Sequence, residues 1–230
     1  MGRFYYAKYH KDGNSFIIVD KQDIRGEDKR LLAQTLCRQD TKIGADSLII
    51  CDTSQHHISM VSYSRSGMRQ PLNGNGIACL VQYCCEYGFL LEREAYIKTD
   101  AALVRAKIKR IEPFTTAVYL PPAIFSAESC CIPESVYTEE IYIDTGYGRV
   151  PLTTVNTGNI YSVIWSDEHQ KWHLNRKGRK VFRNDRRDFM SRLAREVSGS
   201  SIFRQHSVIH LANPAKRKTD FLSSNLQSIV

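Results

Sequence analysis

The chain has 230 residues, with 32 Lys or Arg against 24 Asp or Glu for a net charge of +8, and 42% hydrophobic residues. That is ordinary globular usage: it excludes global disorder, collagen and coiled coil, and a chain of this length buries about 70% or more of its unfolded surface without disulfide staples. Met1-Gly2-Arg3-Phe4-Tyr5-Tyr6 runs directly into a strand-like pattern, Tyr6 stands where a myristoylation signal needs Ser or Thr, and no apolar run reaches the roughly 18 residues of a membrane span, so neither signal peptide nor membrane contact is expected.

In chain order, Phe4 to His10 reads as a strand, Asp12-Gly13-Asn14 as a turn, and Ser15 to Asp20 as the returning strand. Asp28 to Cys37 places Leu31, Leu32, Thr35 and Leu36 on one helical face. Leu48 to Cys51 and His57 to Ser64 are strand-like. After Asn73-Gly74-Asn75-Gly76 come Ile77, Leu80, Val81 and Cys84, at i, i+3, i+4, i+7, then Tyr87, with Gly88 closing the helix. Ala78, Cys79 and Cys85 put small or apolar residues on its other faces. A helix apolar nearly all round must be enclosed by other elements.

Ala95 to Lys98, Ala102 to Ile108 and Thr116 to Leu120 are further strands, and Pro121-Pro122 marks a boundary. Beyond it, Ile141 to Asp144, Thr153 to Val155, Tyr161 to Trp165 and Val208 to Ala212 are predicted strands. Arg186 to Val197 is a predicted helix with Phe189, Leu193 and Val197 on one face. Asn213 to Val230 has no strong period and reads as a frayed tail. The expected fold class is α+β in two halves, 1–121 and 122–230.

The seven cysteines (Cys37, Cys51, Cys79, Cys84, Cys85, Cys130 and Cys131) are odd in number and form no C-x-x-C. They read as reduced, buried thiols of a cytoplasmic protein, with neither a disulfide framework nor a zinc site. His56-His57 and His206 with His210 have metal-compatible spacing but no companion carboxylate motif, so no metal is assigned. Ten Lys and Arg residues crowd 171–195. The segment either meets a polyanion or is a solvated basic face; no nucleic-acid motif accompanies it, and nucleic acid is not the expected partner.

Asn73-Gly74-Asn75-Gly76 is the sharpest motif. A helix N-terminus offers free N–H groups and a partial positive charge, and glycine permits close approach, so a carboxylate or other anion is expected at the backbone N–H groups of Gly74, Asn75 and Gly76. The same residues also serve a tight turn and an N-cap.

Taken together, the motifs resemble the diaminopimelate epimerase family. The resemblance runs through Tyr9-His10-Lys11-Asp12-Gly13-Asn14-Ser15-Phe16, through Ile43-Gly44-Ala45-Asp46-Ser47-Leu48 against the family's I-G-x-D-x-L, and through Gly74-Asn75-Gly76-Ile77-Ala78-Cys79 against its C-G-N-G-x-R-C. Thr157-Gly158-Asn159-Ile160-Tyr161-Ser162-Val163 is similar to its G-N-P-H-x-V. The resemblance covers about the first 165 residues and then thins. It implies a cofactor-independent amino-acid epimerase of lysine and peptidoglycan synthesis. It also implies two lobes of strands wrapped around a central helix, with the substrate in the cleft between the two helix N-termini. Two cysteines, one per lobe, then serve as base and acid on opposite faces of the α-carbon. Asn14, Gly74, Asn75 and Asn159 match substrate-contacting positions.

Departures from the family pattern shape the expected function. Asn73 stands where the first catalytic cysteine falls, and an amide cannot take the α-proton. Ser64 falls near a supporting asparagine, Ile160 and Tyr161 replace the proline and histidine of the G-N-P-H motif, and His206 aligns loosely with a second-lobe asparagine. No second cysteine motif follows Val208, so the second lobe is expected to be truncated and incomplete. The reading is therefore a degenerate epimerase-like protein that uses Asn14, Asn73, Gly74, Asn75 and Asn159 to bind an amino acid or amino dicarboxylate. It has no cofactor and no assigned catalytic residue. Unpaired strand edges are expected to make a homodimer or a poorly soluble chain. The alternatives are an active isomerase using other groups and a non-enzymatic binding protein acting through 171–195.

Overall fold

The computed structural model describes residues 5–40, 43–54, 57–135, 138, 141–145, 148–165, 208–212 and 228–229. The fold is α+β, and contacts divide the chain into two units: Met1–Pro121 with Asn225–Val230, and Pro122–Ser224.

The first unit is a nine-stranded sheet with two helices. Its strands are β1 (Ala7–Lys11), β2 (Asn14–Asp20), β3 (Ser47–Asp52), β4 (Ile58–Ser64), β5 (Arg69–Gln70), β6 (Glu94–Lys98), β7 (Leu103–Arg110), β8 (Thr115–Tyr119) and β13 (Ser228–Ile229). They run in the order β1-β2-β3-β4-β6-β7-β8-β13, with β5 paired to β4. The β1–β2 hairpin pairs Lys11 with Asn14 across two residues of positive φ, Asp12 at 49° and Gly13 at 79°. This is the turn whose twist suits two antiparallel strands. β2 and β3 are parallel and therefore need a crossover, which contains α1 (Lys29–Leu36).

Helix α2 (Gly74–Glu86) packs against β1, β2, β3, β7 and β8. β1 and β8 lie far apart in the strand order, so the sheet must curl around the helix for both to touch it. The periodicity explains why: Ile77, Leu80, Val81 and Cys84 are fully buried and Cys79 nearly so. They meet Phe16, Ile18, Ile49, Cys51, Met60, Ile97, Val104 and Ala106 from the strands. Gly76 is required by close approach, because a Cβ there would lie 3.0 Å from Ile49 Cδ1 and 3.1 Å from Met60 Cε.

The opposite face of β2 and β3 carries Ile17, Val19, Leu48 and Ile50 and packs on α1. Asp28 caps α1, accepting from the Arg30 and Leu31 N–H groups. The buried face of α1 is Leu32, Ala33 and Leu36, whereas Leu31 is 60% exposed. The expected face of Leu31, Leu32, Thr35 and Leu36 was thus rotated by about one position. Ala33, although small, is fully buried, and Thr35 turns its hydroxyl back to the Leu31 carbonyl at 2.8 Å.

The second unit contains β9 (Ile141–Thr145), β10 (Gly148–Asn156), β11 (Ile160–Trp165) and β12 (Val208–Ala212). β9, β10 and β11 are antiparallel neighbours, and β12 runs parallel to β11. Ile141, Ile143, Leu152, Val155 and Val163 are buried, together with Cys130 and Ile132 of the preceding segment. Ser228–Ile229, at the end of the stretch read as a tail, lies antiparallel to Tyr119 and Val118 in the first unit. The expected strand from Phe4 begins at Ala7 among the described residues, and the expected helix Arg186 to Val197 lies outside them. No helix of the described residues is long and apolar enough to cross a membrane.

Truncating the enclosed helix should cost far more than truncating the exposed one. Leu80→Ala is expected to lower unfolding stability by about 2–5 kcal/mol, whereas Leu31→Ala stays within about 0.5 kcal/mol. Urea titrations of the two variants check this, and equal losses would show that α2 is not enclosed.

Candidate functional site

The inner face of the curled sheet changes character along its strands. On β2, Phe16 and Ile18 face α2, and strict alternation puts Asn14 on the same side. On β3 the corresponding series is Ser47, Ile49, Cys51, and on β4 it is Ser64, Ser62, Met60. The register pairs Phe16 with Ser47, Ser47 with Ser64 and Ile49 with Ser62. The polar ends of the three series therefore fall at one end of the sheet, where α2 begins.

Asn73 is the N-cap of α2. Its backbone is extended, at φ −143° and ψ 99°, and its side-chain Oδ1 accepts the Gly76 N–H at 2.9 Å. The Asn73 carbonyl takes the Ile77 N–H at 2.8 Å as the first helical bond. The Gly74 and Asn75 N–H groups have no acceptor among the described residues, as helix geometry requires of a first turn. Sequence reasoning opened Gly76 to a ligand as well; the cap already holds it. Beside these donors, Asn75 Oδ1 is buried without a hydrogen-bond partner among the described residues. A buried amide oxygen left so is costly, and a ligand donor would satisfy it.

The cap has a floor that sequence reasoning missed. Asn73 Nδ2 donates to Gln70 Oε1 at 3.4 Å, and Ser62 Oγ and Ser47 Oγ donate to the same oxygen at 3.0 and 3.1 Å. Ser47 and Ser62 are buried. Serine in a strand otherwise rich in β-branched residues was the available signal, but its partner lies on a two-residue strand with no readable period.

Asp46, in the I-G-x-D-x-L-like segment, is structural. Its carboxylate accepts the Ser15 N–H at 2.9 Å and the Ser15 hydroxyl at 2.8 Å, so it fixes the residue next to Asn14. Its carbonyl accepts the Arg65 N–H at 3.0 Å. Asn14 is exposed at the hairpin end. The Ser64 hydroxyl, near the family's supporting asparagine, is used in the β4–β5 turn, where it accepts the Met68 N–H at 3.2 Å.

Asn159 belongs to the second unit, in the turn between β10 and β11. There the Thr157 N–H donates to the Asn159 carbonyl at 3.0 Å, and the Asn159 side chain is hydrogen-bonded to Tyr161. Burial raises the Tyr161 phenol, and the Asn159 bond partly opposes that. The basic segment 171–195, His56 and His206 lie outside the described residues.

Burial holds five of the thiols away from acting as bases. Burial pushes Cys37 up to about 11 and Cys79 and Cys84 up to about 12, and raises Cys51 and Cys130 as well. Cys85 and Cys131 are only half-buried, unlike the expectation for all seven.

Removing the cap oxygen should loosen the helix start. Asn73→Ala is expected to destabilise by about 1 kcal/mol, and Asn73→Ser to keep most of that. Urea midpoints of the two variants test this; equal stability of Asn73→Ala and wild type would mean that the cap bond contributes nothing.

No protein-family model matches the chain. It is 30% identical over 181 residues to a diaminopimelate epimerase of Geobacillus thermodenitrificans, an alignment covering 74% of this chain. The chain spans 61% of that relative's length. Among solved structures it is similar to a probable proline racemase of Agrobacterium radiobacter K84, with TM-score 0.50, 17% identity, and coverage of 69% of this chain and 51% of that one. It is also similar to a predicted epimerase of Pseudomonas aeruginosa, with TM-score 0.51, 14% identity, and coverage of 83% and 67%. The enclosed helix, its Asn-Gly-Asn-Gly entrance and these likenesses agree: the chain is similar in sequence to diaminopimelate epimerases over most of its length and shares the fold of racemase-like and epimerase-like proteins.

Proposed function

We propose that the first unit binds the carboxylate of a small amino acid or amino dicarboxylate at the N-terminus of α2, without contributing a base to epimerisation there. The observation that carries this reading is the pairing of the open Gly74 and Asn75 N–H groups with the buried, unpartnered Asn75 Oδ1. Two convergent donors and a helix terminus suit a carboxylate. A lone amide oxygen suits the ammonium of the same molecule. The relative named a diaminopimelate epimerase supports an amino dicarboxylate as the ligand to try first.

The chemistry at this face follows from Asn73. Taking a proton from an α-carbon needs a group that can accept it and hold it at neutral pH. The Asn73 Oδ1 is engaged with Gly76, and an amide oxygen is too weak a base even when free. Cys79 lies more than a turn along the helix and is pushed up to about 12, so it stays a thiol.

Calorimetry and α-proton exchange in deuterated water test the two halves of the reading. Diaminopimelate is expected to bind the wild-type chain while its α-proton does not exchange at enzymatic rates. A positioned general base typically contributes about 10² to 10⁴ in rate, so Asn73→Cys is expected to bring exchange into view. Absence of binding would refute the carboxylate site. Fast exchange in the wild type would refute the loss of the base.

A further inference from the structure

The floor beneath the helix start has a direction. A backbone N–H can only donate, so the Gly76 N–H must face the carbonyl oxygen of the Asn73 side chain, as it does at 2.9 Å. That choice turns the Asn73 Nδ2, which also can only donate, toward Gln70. Gln70 must therefore present its oxygen to Asn73. The hydroxyls of Ser47 and Ser62 can donate or accept, and they follow by donating to that same oxygen at 3.1 and 3.0 Å. One helical N–H thus sets the polarity of four side chains on three strands and a cap.

The consequence falls on the other end of the Gln70 amide. With its oxygen held inward by three donors, its Nε2 must point elsewhere, and it meets no acceptor among the described residues. Gln70 pairs directly with Ser62 on the strand that leads into the cap, three residues before Asn73, and it is only partly buried. We infer that Gln70 is a specificity-determining residue: its amide, fixed with the oxygen inward, presents an NH₂ donor at the mouth beside the Gly74 and Asn75 N–H groups, and so selects a ligand whose group there is an ionised carboxylate. The inference rests on the carboxylate site proposed above and adds the residue that reads the ligand's charge.

The full chain and the probe diaminopimelate test it by calorimetry between pH 8 and pH 4. In Gln70→Glu the inward oxygen can still accept from Ser47, Ser62 and Asn73, so the fold is kept, but an anionic oxygen replaces the outward donor. Loss of one charge-assisted hydrogen bond corresponds to about a tenfold or greater drop in affinity at pH 8. The drop should shrink only below about pH 5, where repulsion from the ligand carboxylate favours the protonated form of the introduced carboxyl. Gln70→Met, of similar length and without a donor, should bind weakly with no such pH dependence, and it serves if Gln70→Glu does not fold. A merely structural role would not produce the contrast in pH profile between wild type and Gln70→Glu. If the wild type binds and the variants match it at every pH, Gln70 does not face the ligand and this inference alone falls. If the wild type does not bind, the carboxylate site falls and the inference with it.

Discussion

A helix that is apolar on nearly every face is stable in water only when something surrounds it. Most of the first unit follows from meeting that demand for α2. Ile77, Leu80, Val81 and Cys84 are fully buried while Gln82 and Glu86 pair on the solvent side, so the sheet bends until strands near both of its ends reach the helix. Gly76 lets α2 come close enough to Ile49 and Met60 for the contact to be tight. The outer face of β2 and β3 is left for a second, smaller core under α1.

Enclosure creates a problem at the point where the helix begins. Its first N–H groups cannot be buried unsatisfied, and the inner face of the sheet turns polar at that end, through Asn14, Ser47, Ser62 and Ser64. Asn73 answers part of the demand by capping Gly76, and Gln70 with the two serines holds Asn73 in place. The Gly74 and Asn75 donors remain open. A residue well suited to capping is poorly suited to accepting a proton from carbon, so stability of the helix start and the absence of a base there have one cause in Asn73. The enclosure that stabilises α2 also raises the Cys79 and Cys84 thiols.

Much of this was legible in the sequence, and the rest was hidden for identifiable reasons. The spacing of Ile77, Leu80, Val81 and Cys84 is a local signal of period 3.6, and Asp12-Gly13 is a local turn signal, so both could be read directly. The face of α1 was misread because Leu31 is large and Ala33 small, while tertiary packing favoured the smaller residue. β5 has two residues and no period, so Gln70 carried no mark of its place in the floor. The expectation that Gly76 would serve a ligand treated the motif as a row of donors and did not count the bond that Asn73, as N-cap, makes to one of them. Non-local hydrogen bonds such as Ser47 to Gln70 leave no pattern in a single chain.

The most direct measurement is a backbone amide titration by ¹H–¹⁵N nuclear magnetic resonance with diaminopimelate as the probe. The account requires the Gly74 and Asn75 signals to move on binding, because their N–H groups are the open donors of α2. Gly76 should move far less, since Asn73 Oδ1 already holds its N–H. Equal movement of all three would show that the cap opens to the ligand, and movement confined to residues away from the helix start would place the ligand elsewhere and contradict the account.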